Sequence, residues 1–203
     1  MSRSTSVRIR HGRLLEQAAR YARHVVGQVR ILDMSRPTPC ERWDLLHLLR
    51  HLDESVAAAR EAVEHGCVFP EPVLSAQVDA TVFLDVLRSF DRQTGLLLAA
   101  WDDSRADRPV AVGSRSLPAS VLAETAAVEL AVHGWDIATT CGIEGDMAPG
   151  LATELLAVAR RVLPWPRSPL FAPEVVPVRR AGPEELLVAF LGRRPRLSPV
   201  RNT

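Results

Sequence analysis

Residues 128–136, with the sequence VELAVHGWD, place an acid and an imidazole four residues apart in an otherwise apolar run. On an α-helix, residues four apart lie on the same face, so Glu129 and His133 can approach one metal ion together. A catalytic zinc ion takes three protein ligands and leaves its fourth position to water. The run therefore predicts half of a metal site on a helix, with the remaining ligand supplied by another helix.

An acid and a histidine at this spacing also form ordinary local contacts that stabilise a helix without any ion. The neighbours of Glu129 argue against that simpler interpretation, because the run from Ala126 to His133 is otherwise apolar. A buried carboxylate without a partner costs several kcal/mol, so a compensating cation or base is expected beside it. We therefore interpret Glu129 and His133 as metal ligands.

Apolar residues recur at helical spacing along most of the chain, and prolines and glycines mark where each run stops. The pattern predicts five helices and a short sixth one, at 13–30, 41–65, 75–101, 118–141, 149–163 and 183–191. Ser116 as cap and Pro118 just inside the start are expected to open the fourth helix. A polar loop is expected before it, with a short extended piece at Pro109–Val112.

These predicted elements indicate the fold and the division of the chain into a tail, a bundle and an extension. Four long amphipathic helices without alternating strands indicate an all-α fold, an antiparallel four-helix bundle in which ligands come from facing helices. Residues 1–12 are rich in Ser and Arg and are predicted to form a flexible tail. Residues 13–163 form the metal-binding bundle, and residues 164–203 form an irregular C-terminal extension that packs on the bundle and ends in the short helix.

Charge and composition exclude several classes of function. The formal net charge is +1 with acids and bases interspersed, so the sequence offers no basic face for nucleic acid. All 25 basic residues are arginine, which removes Schiff-base chemistry and the P-loop, since both require lysine. The three cysteines lack CxxC spacing and are expected to be reduced thiols. Without a signal peptide or an apolar run of about 18 residues, we expect a cytoplasmic protein with no membrane partner.

The chain has six histidines, at His11, His24, His47, His51, His65 and His133. His11 falls in the predicted tail, His24 on the solvent side of the first helix, and His65 at a helix end. His47 and His51 remain, four residues apart on the second helix. Either could face Glu129 and His133, and the spacing alone leaves that choice open.

Two segments of the chain resemble a known family. Residues 37–52, PTPCERWDLLHLLRHL, resemble the Pro-Thr-Pro-Cys, Trp and Leu-x-x-His-Leu opening of actinobacterial proteins similar to the metal-binding N-terminal domain of mycothiol-dependent maleylpyruvate isomerase. Residues 129–138 resemble the Glu-x-x-x-His-Gly-Trp-Asp signature of the same proteins, which belong to the DinB-like superfamily. With further matches near the carboxyl terminus, the resemblance spans about residues 14–196.

The resemblance implies a DinB-like four-helix bundle that binds a divalent metal ion, usually zinc, through two histidines and one glutamate. Residue by residue, the implied ligands are His51, Glu129 and His133, with His47 outside the set of direct ligands. It also implies a low-molecular-weight thiol, with mycothiol as cosubstrate, and transferase or isomerase chemistry. The sequence stops about 40 residues after the fifth helix, short of the second domain expected in the isomerase, so maleylpyruvate itself is not the expected substrate.

The resulting hypothesis is a metal-dependent enzyme in which a thiol or water is activated to attack or isomerise a small electrophilic substrate. His47, Trp135 and Asp136 are the candidates for orienting a ligand or lining the pocket, with Trp43 as a further one. The alternative is a non-catalytic bundle that binds a metal ion or a small ligand. Two histidines and a carboxylate also suit non-haem iron. The sequence leaves open whether the protein is a monomer or a homodimer.

Overall fold

The helix α4, at Ala119–Cys141, is the one around which the first part of the chain is arranged. It is buried on almost every side, with Leu130 at 0% exposure, as expected for a helix that is apolar all round. It packs against α1 at Ser2–Val26 and α2 at Leu45–His65. In turn, α3 at Ala80–Asp103 packs against α2 and α1. The predicted all-α fold and four-helix bundle are confirmed.

The structure is a computed structural model that describes residues 2–40, 43–68, 80–103, 107–163, 172–177 and 180–195. The chain divides into two units, Met1–Gly145 and Asp146–Thr203. None of the described helices combines the length and the apolar character needed to cross a membrane.

The second unit contains α5 at Pro149–Val162 and α6 at Pro183–Phe190, which pack against each other. The predicted short helix near the end of the chain is therefore present. The division differs from the boundary predicted at residue 163, because α5 associates with α6. The packing of residues 164–203 on the bundle stays a prediction.

A small sheet accompanies the bundle in the first unit. The extended piece predicted at Pro109–Val112 is confirmed as β2, which lies between β1 at Cys67–Val68 and β3 at Arg115–Pro118. β2 and β3 form an antiparallel hairpin, and Gly113 has the positive φ of 58° that its two-residue turn requires. β1 runs parallel to β2. β1 and β3 were not predicted, because β1 has only two residues and β3 lies in the polar segment that was interpreted as a loop.

Several helices begin or end away from their predicted positions. α1 starts at Ser2, so the segment predicted as a flexible tail is helical. α2 starts at Leu45 with Asp44 as its N-cap, and the predicted start at residue 41 lies outside the described residues, as does the start of α3 predicted at residue 75. α4 starts at Ala119, because Ser116 and Pro118 belong to β3.

Gly134 lets α1 approach α4 closely. A Cβ at this position would lie 3.1 Å from Tyr21 Cε1 and 3.3 Å from the Cα of Ala22. Because the second of these atoms belongs to the backbone, a larger residue would push the two helices apart. This glycine therefore fixes α4, and with it the neighbouring His133, against α1.

Candidate metal centre

Three potential ligands converge where α2 faces α4. His133 Nε2 lies 3.1 Å from Glu129 Oε2, and His51 Nε2 lies 3.8 Å from the same oxygen. The three ligand atoms all lie within 4.8 Å of one another. Two of the side chains share one face of α4 and the third comes from α2, as helical spacing requires.

The donor set and its spacing fit a zinc ion. Zinc binds nitrogen and oxygen at about 2.0–2.2 Å, so two ligands of a tetrahedral site lie about 3.3–3.5 Å apart. The two distances to Glu129 Oε2 fall on either side of that value. The rings of His51 and His133 are perpendicular, with centroids 5.1 Å apart. Small side-chain adjustments would therefore bring the three atoms onto one ion.

The site is covered on one side and open on the other. The side chain of His133 is only 9% exposed, whereas those of His51 and Glu129 are 30% and 33% exposed. The ring of Trp43, which precedes α2, lies 4.5 Å from the ring of His51. A small molecule can therefore reach the ligand atoms from the His51 side, beside an aromatic wall.

Electrostatics hold the cluster together. Burial alone would raise the pKa of Glu129, but hydrogen bonds from His133 and His51 outweigh it and leave that pKa well below its usual range. Burial would lower the pKa of His133, yet hydrogen bonds with Asp136, Cys40 and Glu129 raise it well above its usual value. The site thus favours an ionised carboxylate beside positive charge, which is the charge distribution a metal cation would also satisfy.

Asp136 and Cys40 contact the opposite edge of the His133 ring. Asp136 Oδ2 lies 3.0 Å from His133 Nδ1, and the Cys40 thiol donates to the same oxygen at 3.4 Å. Asp136 is completely buried. Residues 133 and 136 share a helix face, so this contact follows from the spacing in the sequence.

The family model for the mycothiol maleylpyruvate isomerase N-terminal domain matches residues 15–138, more than half of the chain. The chain belongs to this family. The match covers α2 and nearly all of α4, and so includes every residue of the ligand cluster.

Two relatives and one solved structure are similar to this chain. Two proteins from two strains of Mycobacterium tuberculosis, both described as uncharacterized, are each 30% identical over 180 residues, covering 83% of this chain and 90% of the relative. A crystal structure of a histidine-to-alanine mutant of the mycothiol-dependent maleylpyruvate isomerase has a TM-score of 0.55 at 15% identity. The likeness covers 82% of this chain and 73% of that one, and supports the predicted DinB-like fold.

In this member of the mycothiol maleylpyruvate isomerase N-terminal domain family, His47 lies apart from the cluster. Its Nδ1 and its backbone N–H both contact Asp44 Oδ1, at 2.8 and 2.9 Å. It therefore belongs to the N-terminal cap of α2. Of the two histidines that spacing left open, His51 is the one beside Glu129.

The two tryptophan candidates have different positions. Trp43 lies against both histidines of the cluster, with its ring 6.4 Å from that of His133. Trp135, the candidate named from the signature, is 3% exposed in α4 and belongs to the core. The periodicity of the helix explains the position of Trp135, because residues 133 and 135 point to different sides of a helix.

Two residues of the first unit make contacts that were not predicted from the sequence. His11 lies in α1, where its Nδ1 is 3.0 Å from Glu124 Oε1, rather than in a tail. Cys40 contacts the His133 ring, although its sequence position gave no sign of it. The two prolines of the Pro-Thr-Pro-Cys segment predict a break in the chain before α2, but they do not indicate which residue the Cys40 thiol contacts.

Proposed function

We propose that His51, Glu129 and His133 hold one divalent metal ion, zinc, in this protein. We further propose that the centre activates a low-molecular-weight thiol, mycothiol, for transfer to or isomerisation of a small electrophilic substrate. The observation that carries the proposal is the convergence of three ligand atoms from two facing helices within 4.8 Å. Family membership supports it, because the matched domain is named for mycothiol and maleylpyruvate isomerase.

When bound, zinc supplies Lewis acidity that favours the ionised form of a thiol or of water near neutral pH. The charges of the chain's own residues favour an anion as the added partner, and a thiolate meets that requirement. Two neutral imidazoles and one carboxylate leave a net charge of about +1 on a zinc centre, which one thiolate would neutralise. In a half-buried site that neutrality lowers the cost of desolvation.

The remaining side chains would orient the reactants and limit water. His133 is held by groups on both sides of its ring, so it presents a fixed nitrogen. Trp43 provides an apolar surface beside His51 on the accessible side of the site. A small electrophile would pack against that ring while the thiol is held at the centre.

Metal content is the first test. Protein purified without a histidine tag would be analysed for zinc beside a triple variant, His51→Ala, Glu129→Ala and His133→Ala. A matched control changes two exposed histidines and one exposed glutamate, His24→Ala, His65→Ala and Glu61→Ala. We expect about one zinc per chain in the wild type and the control and almost none in the site variant.

Activity is the second test. Zinc-loaded protein would be incubated with mycothiol and a nitroaryl halide, and adduct formation followed with and without the thiol. Thiol-dependent turnover that the site variant loses supports the proposed chemistry, and turnover without thiol indicates that water is activated instead. Zinc binding without turnover favours the non-catalytic alternative. If the folded wild type binds no added zinc, the proposal is wrong.

A further inference from the structure

The two ring nitrogens of His133 face different partners. Nε2 points toward Glu129 Oε2, 3.1 Å away, on the side where His51 lies. Nδ1 points the other way, toward Asp136 Oδ2 at 3.0 Å and Cys40 Sγ at 4.0 Å. Neither Asp136 nor Cys40 belongs to the proposed set of metal ligands. It therefore calls for a separate explanation.

We propose that Cys40 and Asp136 form a clasp that positions His133 for the metal ion by holding its Nδ1–H; Asp136 is buried and Cys40 half-buried. This inference rests on the proposed function and concerns the same site. An ionised carboxylate can only accept hydrogen bonds, so it selects the imidazole form with the proton on Nδ1. That form leaves the lone pair of Nε2 directed at the ligand cluster. A carboxylate in this position is the usual outer partner of a metal-binding histidine.

Burial strengthens the effect of Asp136. Its side chain is 0% exposed, so its charge acts in a low dielectric and its position is fixed by packing. The Cys40 thiol donates to the same Oδ2 that faces the imidazole. Asp136 Oδ2 thus accepts hydrogen bonds from His133 on α4 and from Cys40 in the segment before α2. The thiol thereby helps to hold the Asp136 carboxylate in place against His133 Nδ1.

The segment before α2 is shaped to supply that thiol. The backbone N–H of Cys40 donates to Thr38 Oγ1 at 3.2 Å, and the Thr38 hydroxyl donates to the carbonyl of Trp43 at 2.8 Å. The N–H of Trp43 returns to the carbonyl of Cys40 at 2.8 Å. This turn fixes the Cys40 sulfur against α4 and the Trp43 ring against His51 together. It couples the thiol to the wall of the pocket.

A second metal position is the competing interpretation of the same atoms. Cys40 Sγ, His133 Nδ1 and Asp136 Oδ2 also lie within 4.8 Å of one another. An ion there would have to replace the proton on Nδ1, so that the imidazole bridged two metals. The clasp needs no such step. The two interpretations differ in the number of metal ions per chain.

The test measures zinc stoichiometry and affinity, by competition with a chromophoric chelator, on the full chain. Asp136→Asn keeps the size of the side chain but offers an amide N–H to His133 Nδ1. This favours the imidazole form with its proton on Nε2, which cannot bind the metal ion through that nitrogen. We expect one zinc per chain in both proteins and an affinity about 10–100-fold lower in the variant. The metal-free variant should fold with a lower melting temperature, because a buried charged hydrogen bond is lost, so affinities are compared at a temperature at which both proteins are folded.

Cysteine variants separate the thiol from general packing. Cys40→Ala should lower zinc affinity about 3–10-fold through loss of one hydrogen bond to a charged group. Cys40→Ser, whose hydroxyl can donate to Asp136, should recover most of that loss. Cys141→Ala is the matched control on α4, where burial, aided by the charge of Asp33, raises the pKa of the thiol to about 11. This control should leave the affinity unchanged.

The outcomes distinguish the clasp from the metal site itself. One zinc per chain with unchanged affinity in Asp136→Asn overturns the clasp and leaves the proposed function standing. Two zinc ions in the wild type and one in Cys40→Ala also overturn it, because the clasp atoms would then be ligands. A folded wild type that binds no zinc overturns both proposals. One zinc, weakened by Asp136→Asn and by Cys40→Ala and recovered in Cys40→Ser, supports the clasp.

Discussion

Two glutamates of α4, Glu124 and Glu129, each contact a histidine, but only Glu129 belongs to a group of three possible metal ligands. Glu124 contacts His11 of α1 at 3.0 Å, and Glu129 contacts His133 at 3.1 Å. The pairs are alike in distance and chemistry. They differ in their surroundings, because Glu129 also meets His51, whereas Glu124 belongs to no group of three possible metal ligands among the described residues.

Exposure separates the two pairs as well. The side chains of His11 and Glu124 are 13% and 8% exposed, so this pair is enclosed between α1 and α4. The side chain of Glu129 is 33% exposed and can be reached by a small molecule. An acid beside a histidine is thus not a metal site in itself. A third ligand and access from outside are what distinguish the second pair.

Neutralising each acid in turn is the sharpest way to test this contrast. Glu129→Gln should lower zinc affinity about 100-fold or more, because the only anionic ligand is lost. Glu124→Gln should leave affinity unchanged but lower the free energy of unfolding by about 1–3 kcal/mol, since a buried partner of His11 is weakened. Chelator competition and urea unfolding of both variants would measure this. Equal losses of affinity would remove the distinction between the pairs.

The close approach of α1 to α4 supports both pairs and can be tested at a glycine. Gly134→Ala places a methyl group against the backbone of Ala22 and should destabilise the protein by about 1–3 kcal/mol. Gly95→Ala in α3 is the matched control, since a Cβ there meets nothing within 4 Å. The control should stabilise the helix by about 0.5–1 kcal/mol. Thermal unfolding that ranks the two variants alike would contradict the packing argument.

A second contrast separates the two histidines of α2. His47→Ala should leave zinc affinity unchanged and lower the free energy of unfolding by about 0.5–1 kcal/mol, because it loses a contact at the helix cap. His51→Ala should do the reverse, with a large loss of affinity and little loss of stability. Both quantities can be measured on metal-free and zinc-loaded protein. Loss of zinc binding in His47→Ala would contradict the assignment of His51 as the ligand from α2.

The smallest expected effect concerns Asp53 of α2, an acid outside both pairs. Burial raises the pKa of Asp53, and its Oδ1 is a buried atom without a hydrogen-bond partner in the described part of the chain. An acid whose pKa is raised by folding favours the folded state only at low pH, and that advantage fades as the pH rises through the folded pKa.

Asp53→Asn should therefore gain stability over the wild type between about pH 4 and pH 7, by less than about 1 kcal/mol because the group is partly exposed. Urea unfolding at the two pH values measures the difference. A variant whose relative stability does not change with pH would show that burial of Asp53 has no energetic consequence.

The sequence predicted the part of the site that lies within one helix. Glu129, His133 and Asp136 fall on one face by spacing alone, and the apolar run around them indicated burial. Spacing could not choose between His47 and His51, because both lie near the leucine stripe of α2. The family resemblance made that choice, and the contact of His51 with Glu129 agrees with it.

Contacts between distant segments were not accessible from sequence. Cys40 meets Asp136 only because a turn before α2 folds back on α4. His11 was assigned to a tail, since the Ser- and Arg-rich start of α1 carries no apolar spacing. In each case the deciding interaction joins residues more than 90 positions apart. Local pattern contains no information about such pairs.

Trp43 is an intrinsic fluorophore beside the candidate centre. Its ring lies 4.5 Å from that of His51 and 6.4 Å from that of His133. Indole emission responds to the charge and hydrogen-bonding state of groups in contact with it. A metal ion bound at the candidate centre would therefore change the emission of a side chain already in place, and its binding could be followed in real time without any attached dye.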